Sequence, residues 1–263
     1  FSVCFDGQEC DVTFSHITVR NGLYGIRSKS TGTVNVLHSE FYHNGYDGTE
    51  LPDPDTDTAQ ADYHAFYYEG PHTSNGGAMR IENASGADIA YNTVYNNLRG
   101  IRFQDGANGH IYDNVSHDNF ESGIYLAFGS SGCTNTNVYN NQSYNNMNNG
   151  ILVVGGSGNN ITSNDVYDNW NAGVQMWYPA DLGVYGNHIS GNNIKSFNGI
   201  GNNGDAHAAV SCKGVSPLVQ DNSFVLEGNT ISYTSDGEFI TLTITDADGN
   251  TTIITLPIGS FTF

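Results

Sequence analysis

RGIRFQDGANGHIYDNVSHDN (residues 99–119) and NGILVVGGSGNNITSNDVYDN (149–169) are two copies of the phrase that decides the fold. They lie in or next to the stretch Ile101–Gln175, and each combines a glycine before a branched apolar residue with a closing Asn-x-x-Tyr/His-x-Asn unit. The closing asparagines come in steps of 22, 27, 23 and 24 residues, at Asn97, Asn119, Asn146, Asn169 and Asn193. The opening glycines keep nearly the same steps, at Gly100, Gly123, Gly150, Gly173 and Gly199. A repeat of this length predicts a solenoid, in which each turn packs against its neighbours.

The strands of this repeat are short and extend towards the N-terminus. Val12 and Phe14 alternate with Thr13 and Ser15, which is typical of a β-strand, and clusters of Gly and Asn mark the turns. Asn suits such turns because it tolerates left-handed backbone conformations and bonds to its own backbone. No helical pattern lies between the strands. We therefore expect an all-β chain, with a parallel β-helix of about eight rungs over residues 1–222.

Two segments depart from the repeat. Residues 45–77 are acidic, aromatic and Pro-containing, which predicts a protruding loop that serves either binding and catalysis or capping. Within this loop Asp53, Asp55 and Asp57 alternate, so they are candidates for a Ca²⁺ site, with a solvated acidic loop as the alternative. Residues 223–263 show Thr/apolar alternation on both sides of DADGN. This pattern predicts a C-terminal β-hairpin that caps the solenoid or self-associates through its strands.

Acidic residues outnumber basic residues 27 to 8 in this chain of 263 residues, which gives a formal net charge of −19. A surface of this sign repels nucleic acid and anionic membranes, so the composition argues against both as partners. No apolar run approaches the roughly 18 residues that a membrane-spanning helix needs. The chain begins at Phe1 without a visible signal peptide, which fits a processed, secreted protein or a fragment. We expect an extracellular location.

The chain has four cysteines, and two combinations of them are considered for disulfide bonds. Cys4 and Cys10 are close in sequence and could close a small loop at the N-terminal end of the solenoid. Cys133 and Cys212 lie about three rungs apart, and at ~4.8 Å per rung this exceeds the reach of a disulfide bond. They can bridge only if the turns that carry them fold together, and buried free thiols are the alternative.

Aligning the rungs on the glycine, with Ala78 in its place in one rung, gives matched strands whose side chains alternate inward and outward. The inward positions are apolar apart from Ser28, and they are Ile26, Met79, Ile81, Ile101, Phe103, Ile124, Leu126, Ile151, Val153, Val174 and Met176. The outward positions include four of the eight basic residues, and they are Arg27, Lys29, Arg80, Glu82, Arg102, Gln104, Tyr125, Ala127, Leu152, Val154, Gln175 and Trp177. The inward column predicts the core, and the outward column is the candidate functional face.

Arg80 and Arg102 should lie side by side on neighbouring strands of this face, about 5 Å apart at the backbone. Two adjacent guanidinium groups repel each other unless an anion lies between or beside them. The candidate anions are Glu82, acids of the 45–77 loop, and a ligand carboxylate, which matches the fork of arginine. An internal salt-bridge ladder and a ligand-binding site are therefore both open.

Aromatic and polar side chains extend the face in a way that suits a sugar polymer. Tyr125 stands one strand beyond Arg102, and rings of this kind pack against pyranose faces while amides bind hydroxyl groups. The predicted substrate-binding residues are Lys29, Glu82, Gln104, Gln175 and Trp177. Two alternatives remain: the rings cover a partly exposed sheet, or the apolar part at Leu152 and Val154 contacts another protein.

The rungs NTVYNNLRGIRF (92–103), NVSHDNFESGIYL (114–126) and NQSYNNMNNGILV (141–153) resemble the right-handed parallel β-helix repeats of secreted carbohydrate-active proteins. They are similar to mannuronan C5-epimerase modules and polysaccharide lyases, over about residues 11–222. The resemblance implies a right-handed winding and an acidic polysaccharide as partner. The epimerases' Asp-Pro-His signature is absent, because PDPD (52–55) and GPH (70–72) do not reproduce it. No catalytic residue is therefore carried over from that family.

The resemblance also implies a reaction on a uronate polymer. Lyases and epimerases of this kind neutralise the sugar carboxylate and then abstract the acidified C5 proton. Arg80, Arg102 or Lys29 would serve the first step, and Tyr125 with a loop residue such as His72 would serve the second.

Two other functions fit the same sequence. A glycoside hydrolase needs two carboxylates about 5–9 Å apart, for which Glu82 and Asp105 are one pair. A non-catalytic structural or adhesive subunit of a secreted appendage or filament is the third interpretation, supported by the low charge density and the strand-like tail.

Overall fold

The computed structural model describes residues 9–45, 76–177, 184–190, 192–197, 210–213, 219–220, 223–226, 229–235, 239–246 and 248–257. Within these ranges the chain contains strands and turns and no helix. The strands wind into a right-handed parallel β-solenoid, which confirms the fold predicted from the repeat. Each turn of the solenoid contributes one strand to each of three parallel sheets.

The three sheets form the walls of the solenoid. The first sheet contains β1 (Val12–Ser15), β4 (Val34–Leu37), β7 (Ala87–Ala90), β10 (Gly109–Tyr112), β13 (Asn137–Tyr139), β17 (Asn160–Thr162), β21 (His188–Ser190) and β25 (Ser223–Leu226). The second contains β2 (Thr18–Arg20), β5 (Glu40–Tyr42), β8 (Thr93–Tyr95), β11 (Val115–His117), β14 (Gln142–Tyr144), β18 (Asp165–Asn169) and β22 (Asn193–Phe197). The third contains β3 (Tyr24–Ser28), β6 (Gly77–Glu82), β9 (Ile101–Gln104), β12 (Ile124–Ala127), β15 (Ile151–Val154), β19 (Val174–Trp177) and β23 (Val210–Lys213).

A short fourth sheet consists of β16 (Gly156–Ser157), β20 (Val184–Tyr185) and β24 (Val219–Gln220). The second and third sheets have seven strands each, so the described solenoid has slightly fewer turns than the eight that we expected.

Two of the sequence markers are not equivalent to the others. Asn193 pairs with Asp165 at the start of β22, whereas Asn169 pairs with Phe197, so the last step of the asparagine column is 28 residues. Val174 pairs with Val210, which shows that Gly199 is not the counterpart of Gly173. The segments between β19 and β21 and between β22 and β23 contain more residues than the corresponding segments of the preceding rung, and counting Asn and Gly does not detect such insertions.

The inward column forms the core as predicted. The register pairs Ile26 with Met79, Met79 with Ile101, and so on along the third sheet. The predicted inward apolar side chains are at most 1% exposed wherever their exposure is given. Ser28, the polar exception, is also fully buried. Each buried branched side chain stabilises the fold by roughly 1.5–3 kcal/mol, and stacking turns makes this core continuous.

Two internal rows of asparagine side chains close the corners of each turn. In the first row the side-chain amide of each Asn donates to Oδ1 of the next at 2.9–3.1 Å, through Asn44, Asn97, Asn119, Asn146 and Asn169. A second row makes the same contacts at 2.8–2.9 Å, through Asn92, Asn114, Asn141, Asn164 and Asn192. The repeated asparagines are therefore buried connectors between rungs.

The left-handed backbone conformation falls on the residue before the buried asparagine. This holds for His43, Asn96, Asp118, Asn145 and Asp168, whose φ values lie between 50° and 53°. These side chains point away from the core, so several residue types are accepted there, whereas the following position keeps the amide that its row requires.

The C-terminal strands continue the first sheet in antiparallel order. β26 (Asn229–Ser235), β27 (Phe239–Thr245) and β28 (Thr251–Pro257) follow β25, and the β27–β28 pair confirms the predicted hairpin around DADGN. At the turn Asp246 Oδ1 accepts hydrogen bonds from the backbone N–H of Asp248 and Asn250, at 3.0 and 2.8 Å. A separate C-terminal unit over residues 223–263 remains a prediction.

The cysteine contacts give no support to a disulfide bond. Cys10 and Cys133 are both free thiols, and the buried thiol of Cys133 donates to the carbonyl oxygen of Phe103 at 3.2 Å. Burial raises the pKa of Cys133 to about 12, which keeps it protonated and unreactive. Cys4 lies outside the described residues. In the ranges that the structure covers, no helix is long and apolar enough to cross a membrane.

Candidate functional site

The outer face of the third sheet carries the predicted functional column in the predicted register. Successive strands place one side chain of this column each, in the order Arg27, Arg80, Arg102, Tyr125, Leu152 and Gln175. A second column runs beside it, in which Glu82 pairs with Gln104 and Gln104 with Ala127. The structure therefore brings Arg80, Arg102, Tyr125, Glu82 and Gln104 together.

At the N-terminal end of the face, Glu82 neutralises two arginines. Its Oε2 lies 3.1 Å from Nε of Arg27, and its Oε1 lies 2.7 Å from Nη2 of Arg80. Arg80 also donates to the hydroxyl of Tyr24 at 3.4 Å. Lys29, which follows β3, is partly buried at the same end. The internal ion pair that we considered for Arg80 is thus present, and both carboxylate oxygens of Glu82 are engaged by arginines of the protein.

Arg102 has a different environment. Its guanidinium carbon lies 5.3 Å from the centroid of the Tyr125 ring, a cation–π contact. In the part of the chain that the structure describes, it has no carboxylate partner, and its buried Nε has no hydrogen-bond acceptor. Burial lowers the pKa of Arg102, and the charges of Arg99 and Arg80 act in the same direction, while Tyr125 and the carboxylate of Glu121 oppose them. Arginine remains charged even so, which leaves a partly buried cation without an ion-pair partner of its own among the described residues.

Arg99 and Glu121 form a buried ion pair beside this cation, which the sequence analysis missed. Both lie in turns that lead into β9 and β12, and Arg99 is 8% and Glu121 6% exposed. The pair is bidentate, with Nε bonded to Oε2 and Nη2 2.6 Å from Oε1. Arg99 and Glu121 come one and two residues before the repeated glycine of their rungs. The sequence feature that could have predicted the pair is therefore two opposite charges at neighbouring positions of adjacent repeats.

The phenol of Tyr125 is a titratable group in contact with the Arg102 guanidinium. Burial raises the pKa of Tyr125, the charge of Arg102 lowers it and the charge of Glu121 raises it, with a net increase. The hydroxyl is therefore protonated at neutral pH and is suited to donate a proton. A role as a base would need a further cation or a bound substrate to lower this pKa.

Asp105 is held by a loop and is not available as a catalytic acid. Its carboxylate accepts hydrogen bonds of 2.9–3.1 Å from four consecutive backbone N–H groups, at residues 129–132. Burial alone would raise the pKa of Asp105, but these hydrogen bonds outweigh it and lower the pKa. Since Glu82 is also engaged by two arginines, both carboxylates of the considered hydrolase pair have structural partners.

Gln104 lies beneath the same loop. It is 7% exposed, and its Oε1 has no hydrogen-bond partner within the described ranges. The far end of the face is more apolar, because Leu152 and Val154 are buried there. Gln175 accepts a hydrogen bond from Asn149 at 3.1 Å, and Trp177 is 38% exposed at the edge of the face. Gln104 Oε1 is thus a buried acceptor without a partner among the described residues, and Trp177 is the most exposed of the predicted binding residues.

The remaining predicted site residues cannot be placed. His72, Asp53, Asp55 and Asp57 belong to residues 46–75, which lie outside the described ranges. Among the residues that are described, no group of three or more His, Cys, Asp or Glu side chains could hold a metal ion. A Ca²⁺ site in the 45–77 loop therefore stays a prediction.

The second sheet carries a row of stacked rings on its outer face. Five rings lie 4.8–5.3 Å apart with interplanar angles of at most 11°, and they are Tyr42, Tyr95, His117, Tyr144 and Tyr167. Arg20 extends the row at one end, 5.7 Å from the centroid of the Tyr42 ring. The signal for this row was the Tyr/His position within the closing phrase, which recurs at the same place in each rung.

Comparison with known proteins gives a family match and distant structural neighbours. Residues 3–166 match the family model described as a right handed beta helix region. A comparison with curated protein sequences found no significant match.

Two mutant forms of the periplasmic alginate epimerase AlgG are among the similar solved structures. They are 17% and 16% identical, with TM-scores of 0.46 and 0.43, and each match covers 81% of this chain. The chain spans about half the length of these structures, at 51% of each. A third structure, ORF18 of Geobacillus virus E2, is 10% identical with a TM-score of 0.26, over 97% of this chain and 69% of that one.

The structural neighbours are too distant to add to the fold assignment. The family match covers more than half of the chain and coincides with the solenoid that the strand pairing defines. The chain belongs to the right-handed β-helix family.

Proposed function

We propose that the chain is a carbohydrate-active β-helix that binds an acidic, uronate-containing polysaccharide along the outer face of its third sheet. On this proposal Arg102 is the carboxylate-binding residue, Gln104 and Trp177 contact the sugar, and the reaction is a lyase or C5-epimerase step. The polymer would run along the solenoid axis, because the side chains of the face repeat in that direction.

The observation that carries the proposal is the environment of Arg102. Arg27, Arg80 and Arg99 all contact a glutamate, whereas Arg102 has no carboxylate partner among the described residues. A partly buried cation without an ion-pair partner is unfavourable. The charges of Arg80 and Arg99 repel it, and Glu121, which attracts it, is already paired with Arg99. A carboxylate that entered this position would meet the fork of one arginine and relieve the repulsion among three.

The same geometry suggests how the residues could act on a uronate. Arg102 would neutralise the sugar carboxylate, which makes the C5 proton more acidic. Tyr125, protonated and in contact with Arg102, would supply a proton to the leaving oxygen of a lyase or to the C5 carbanion of an epimerase. His72 remains our candidate base, although it lies outside the described residues.

Incubation with alginate and with polygalacturonate tests this proposal. Ultraviolet absorbance detects the double bonds that a lyase forms, and NMR detects inversion at C5. We expect Arg102→Ala to abolish activity and to weaken binding to both polymers at least tenfold. Arg20→Ala is the matched control, since it removes an arginine from the other face. If neither polymer binds or changes, or if both variants behave alike, the proposal is wrong.

An extracellular or periplasmic location goes with this function, because a polymeric substrate is found outside the cytoplasm. Fractionation of the producing cells, with antibody detection, would test the location. Recovery in the cytoplasmic fraction alone would contradict it.

A further inference from the structure

The antiparallel tail ends on β28, which has β27 as its one neighbour among the described strands. An edge strand presents backbone N–H and C=O groups on the side away from its neighbour. Residues 251–255 are all exposed, and Ile253 and Ile254 are 67% and 37% exposed. They are two of the five exposed large hydrophobic residues in the described chain, and they are adjacent.

This edge lacks the features that usually protect one. Edge strands commonly carry charged side chains, a central proline or a bulge, which prevent pairing with another chain. β27 and β28 contain no Asp, Glu, Lys or Arg. The β27–β28 register runs without a break from Thr245↔Thr251 to Phe239↔Pro257, so there is no bulge, and the proline is the last residue of the strand.

We propose that β28 pairs in antiparallel orientation with β28 of a second copy of this chain, across a two-fold axis at Ile253. Residues directly opposite each other in an antiparallel pair have their side chains on the same face of the sheet. A two-fold axis perpendicular to the sheet keeps each side chain on its own face, so the axis must lie between one residue and the same residue of the second copy. With the axis at Ile253, this residue meets the partner's Ile253. Thr251 then meets the partner's Thr255, and Thr252 meets the partner's Ile254.

These pairings continue contacts that already exist within the tail. Thr245 and Thr251 hydroxyls lie 3.5 Å apart, and those of Thr241 and Thr255 lie 3.4 Å apart. Pairing at Ile253 joins both contacts into rows of four threonines that cross the two copies. Cross-strand Thr–Thr and β-branched pairs stabilise antiparallel sheets. The strand is therefore complementary to itself in this register.

Charge makes this edge the favourable place for two copies to meet. The chain carries a formal net charge of −19, so most surfaces of two copies repel each other. An uncharged strand brings no carboxylate into the contact. The remaining repulsion is long-range and is screened by salt, so the dimer should become more stable as ionic strength rises.

Sedimentation velocity of the full chain, over a concentration series at low and high salt, tests the proposal. We expect a monomer–dimer equilibrium that shifts to dimer at high salt. Ile253→Lys places two like charges on the axis and should raise the dissociation constant at least tenfold. Leu23→Lys is the matched control, because Leu23 is an exposed apolar residue (44%) away from β28, and it should leave the equilibrium unchanged.

Hydrogen exchange provides a second readout that does not depend on a variant. The amides of β28 should exchange more slowly at concentrations where the dimer forms, while those of β2 are unaffected. The proposal is overturned by a monomer under all conditions, by a dimer that tolerates Ile253→Lys, or by open-ended polymers.

Discussion

At the scale of the single residue, Arg99 and Arg102 are three residues apart and differ in whether they have an ion-pair partner among the described residues. Arg99 has a buried glutamate, whereas Arg102 lies against an aromatic ring with its Nε unsatisfied among the described residues. Removing one partner of a buried ion pair leaves an uncompensated charge, while removing an unpaired cation takes away a source of strain. The two arginines should therefore respond to the same substitution in opposite ways.

We expect Arg99→Met to lower the free energy of unfolding by about 3–5 kcal/mol, because Glu121 is left buried without its partner. Arg102→Met should leave it unchanged or raise it by about 1 kcal/mol, since the lost cation–π contact is offset by relief of desolvation and repulsion. Urea unfolding of both variants checks this. A large loss of stability in Arg102→Met would mean that Arg102 has a structural role and would weaken the proposed carboxylate site.

Asp105 gives a prediction for pH. Its pKa is lower in the folded chain than its ordinary value near ~3.9, so the folded state favours the charged form. Its contribution is fully present above the unfolded pKa and is lost as pH falls through the folded pKa. Asp105→Asn should lower the free energy of unfolding at pH 7 by about 1 kcal/mol, since solvent screens this half-exposed carboxylate, and should flatten the loss of stability below about pH 4. Urea unfolding across this range measures both effects, and parallel curves for the two proteins would contradict the prediction.

At the scale of the element, the asparagine rows bind each rung to the next. Asn119 is fully buried and donates to Asn146 while it accepts from Asn97. We expect Asn119→Ala to cost about 2–4 kcal/mol, since it leaves the buried donors of Asn97 without their acceptor and the buried oxygen of Asn146 without one of its donors. Asn193→Ala is the matched control, because this residue is exposed and should change stability by less than about 0.5 kcal/mol. Thermal unfolding compares them, and equal losses would contradict the buried-row interpretation.

The same rows show what the sequence could and could not reveal. The alternation of Ile101, Arg102 and Phe103 predicts strand, inward face and register, because these follow from one repeat and one rule of geometry. The equivalence of Asn193 could not be judged in this way, since inserted residues shift the count without changing the residue type.

Less of the candidate site than of the fold could be predicted from the sequence. The repeat predicts that Arg80 and Arg102 lie side by side, because they occupy equivalent positions in neighbouring rungs. The choice of Glu82 for Arg27 and Arg80, and not for Arg102, depends on side-chain reach. The grip of residues 129–132 on Asp105 depends on a turn that is irregular in sequence. The repeat therefore predicts neither the ion pairs of Glu82 nor the hydrogen bonds to Asp105.

At the scale of the whole molecule, the solenoid is a sum of nearly equivalent turns. Deleting residues 147–169 removes one turn and joins Asn146 to Trp170, so that β12 can pair with β19 and β14 with β22. We expect this variant to fold cooperatively and to be shorter by ~4.8 Å along its axis. Small-angle X-ray scattering and circular dichroism provide the measurements.

Deletion of residues 147–158 is the control for that experiment. It removes only part of a turn and puts every later side chain out of register, so we expect an unfolded or aggregated product. If both deletions are tolerated, or neither is, then the turns are not interchangeable units.

The buried asparagine rows also give the molecule an electrical direction. In every link from Asn44 to Asn169 the amide nitrogen donates to the next asparagine, and the oxygen that accepts faces the preceding rung. The same nitrogen also donates to a backbone carbonyl of the preceding rung, as Asn119 does to Val94. The amide dipoles of both rows are therefore aligned, with their positive ends towards the C-terminal turns. An α-helix has the opposite polarity relative to its chain, with its positive end at the N-terminus. This solenoid thus has an internal dipole that side chains create, and each added turn lengthens it.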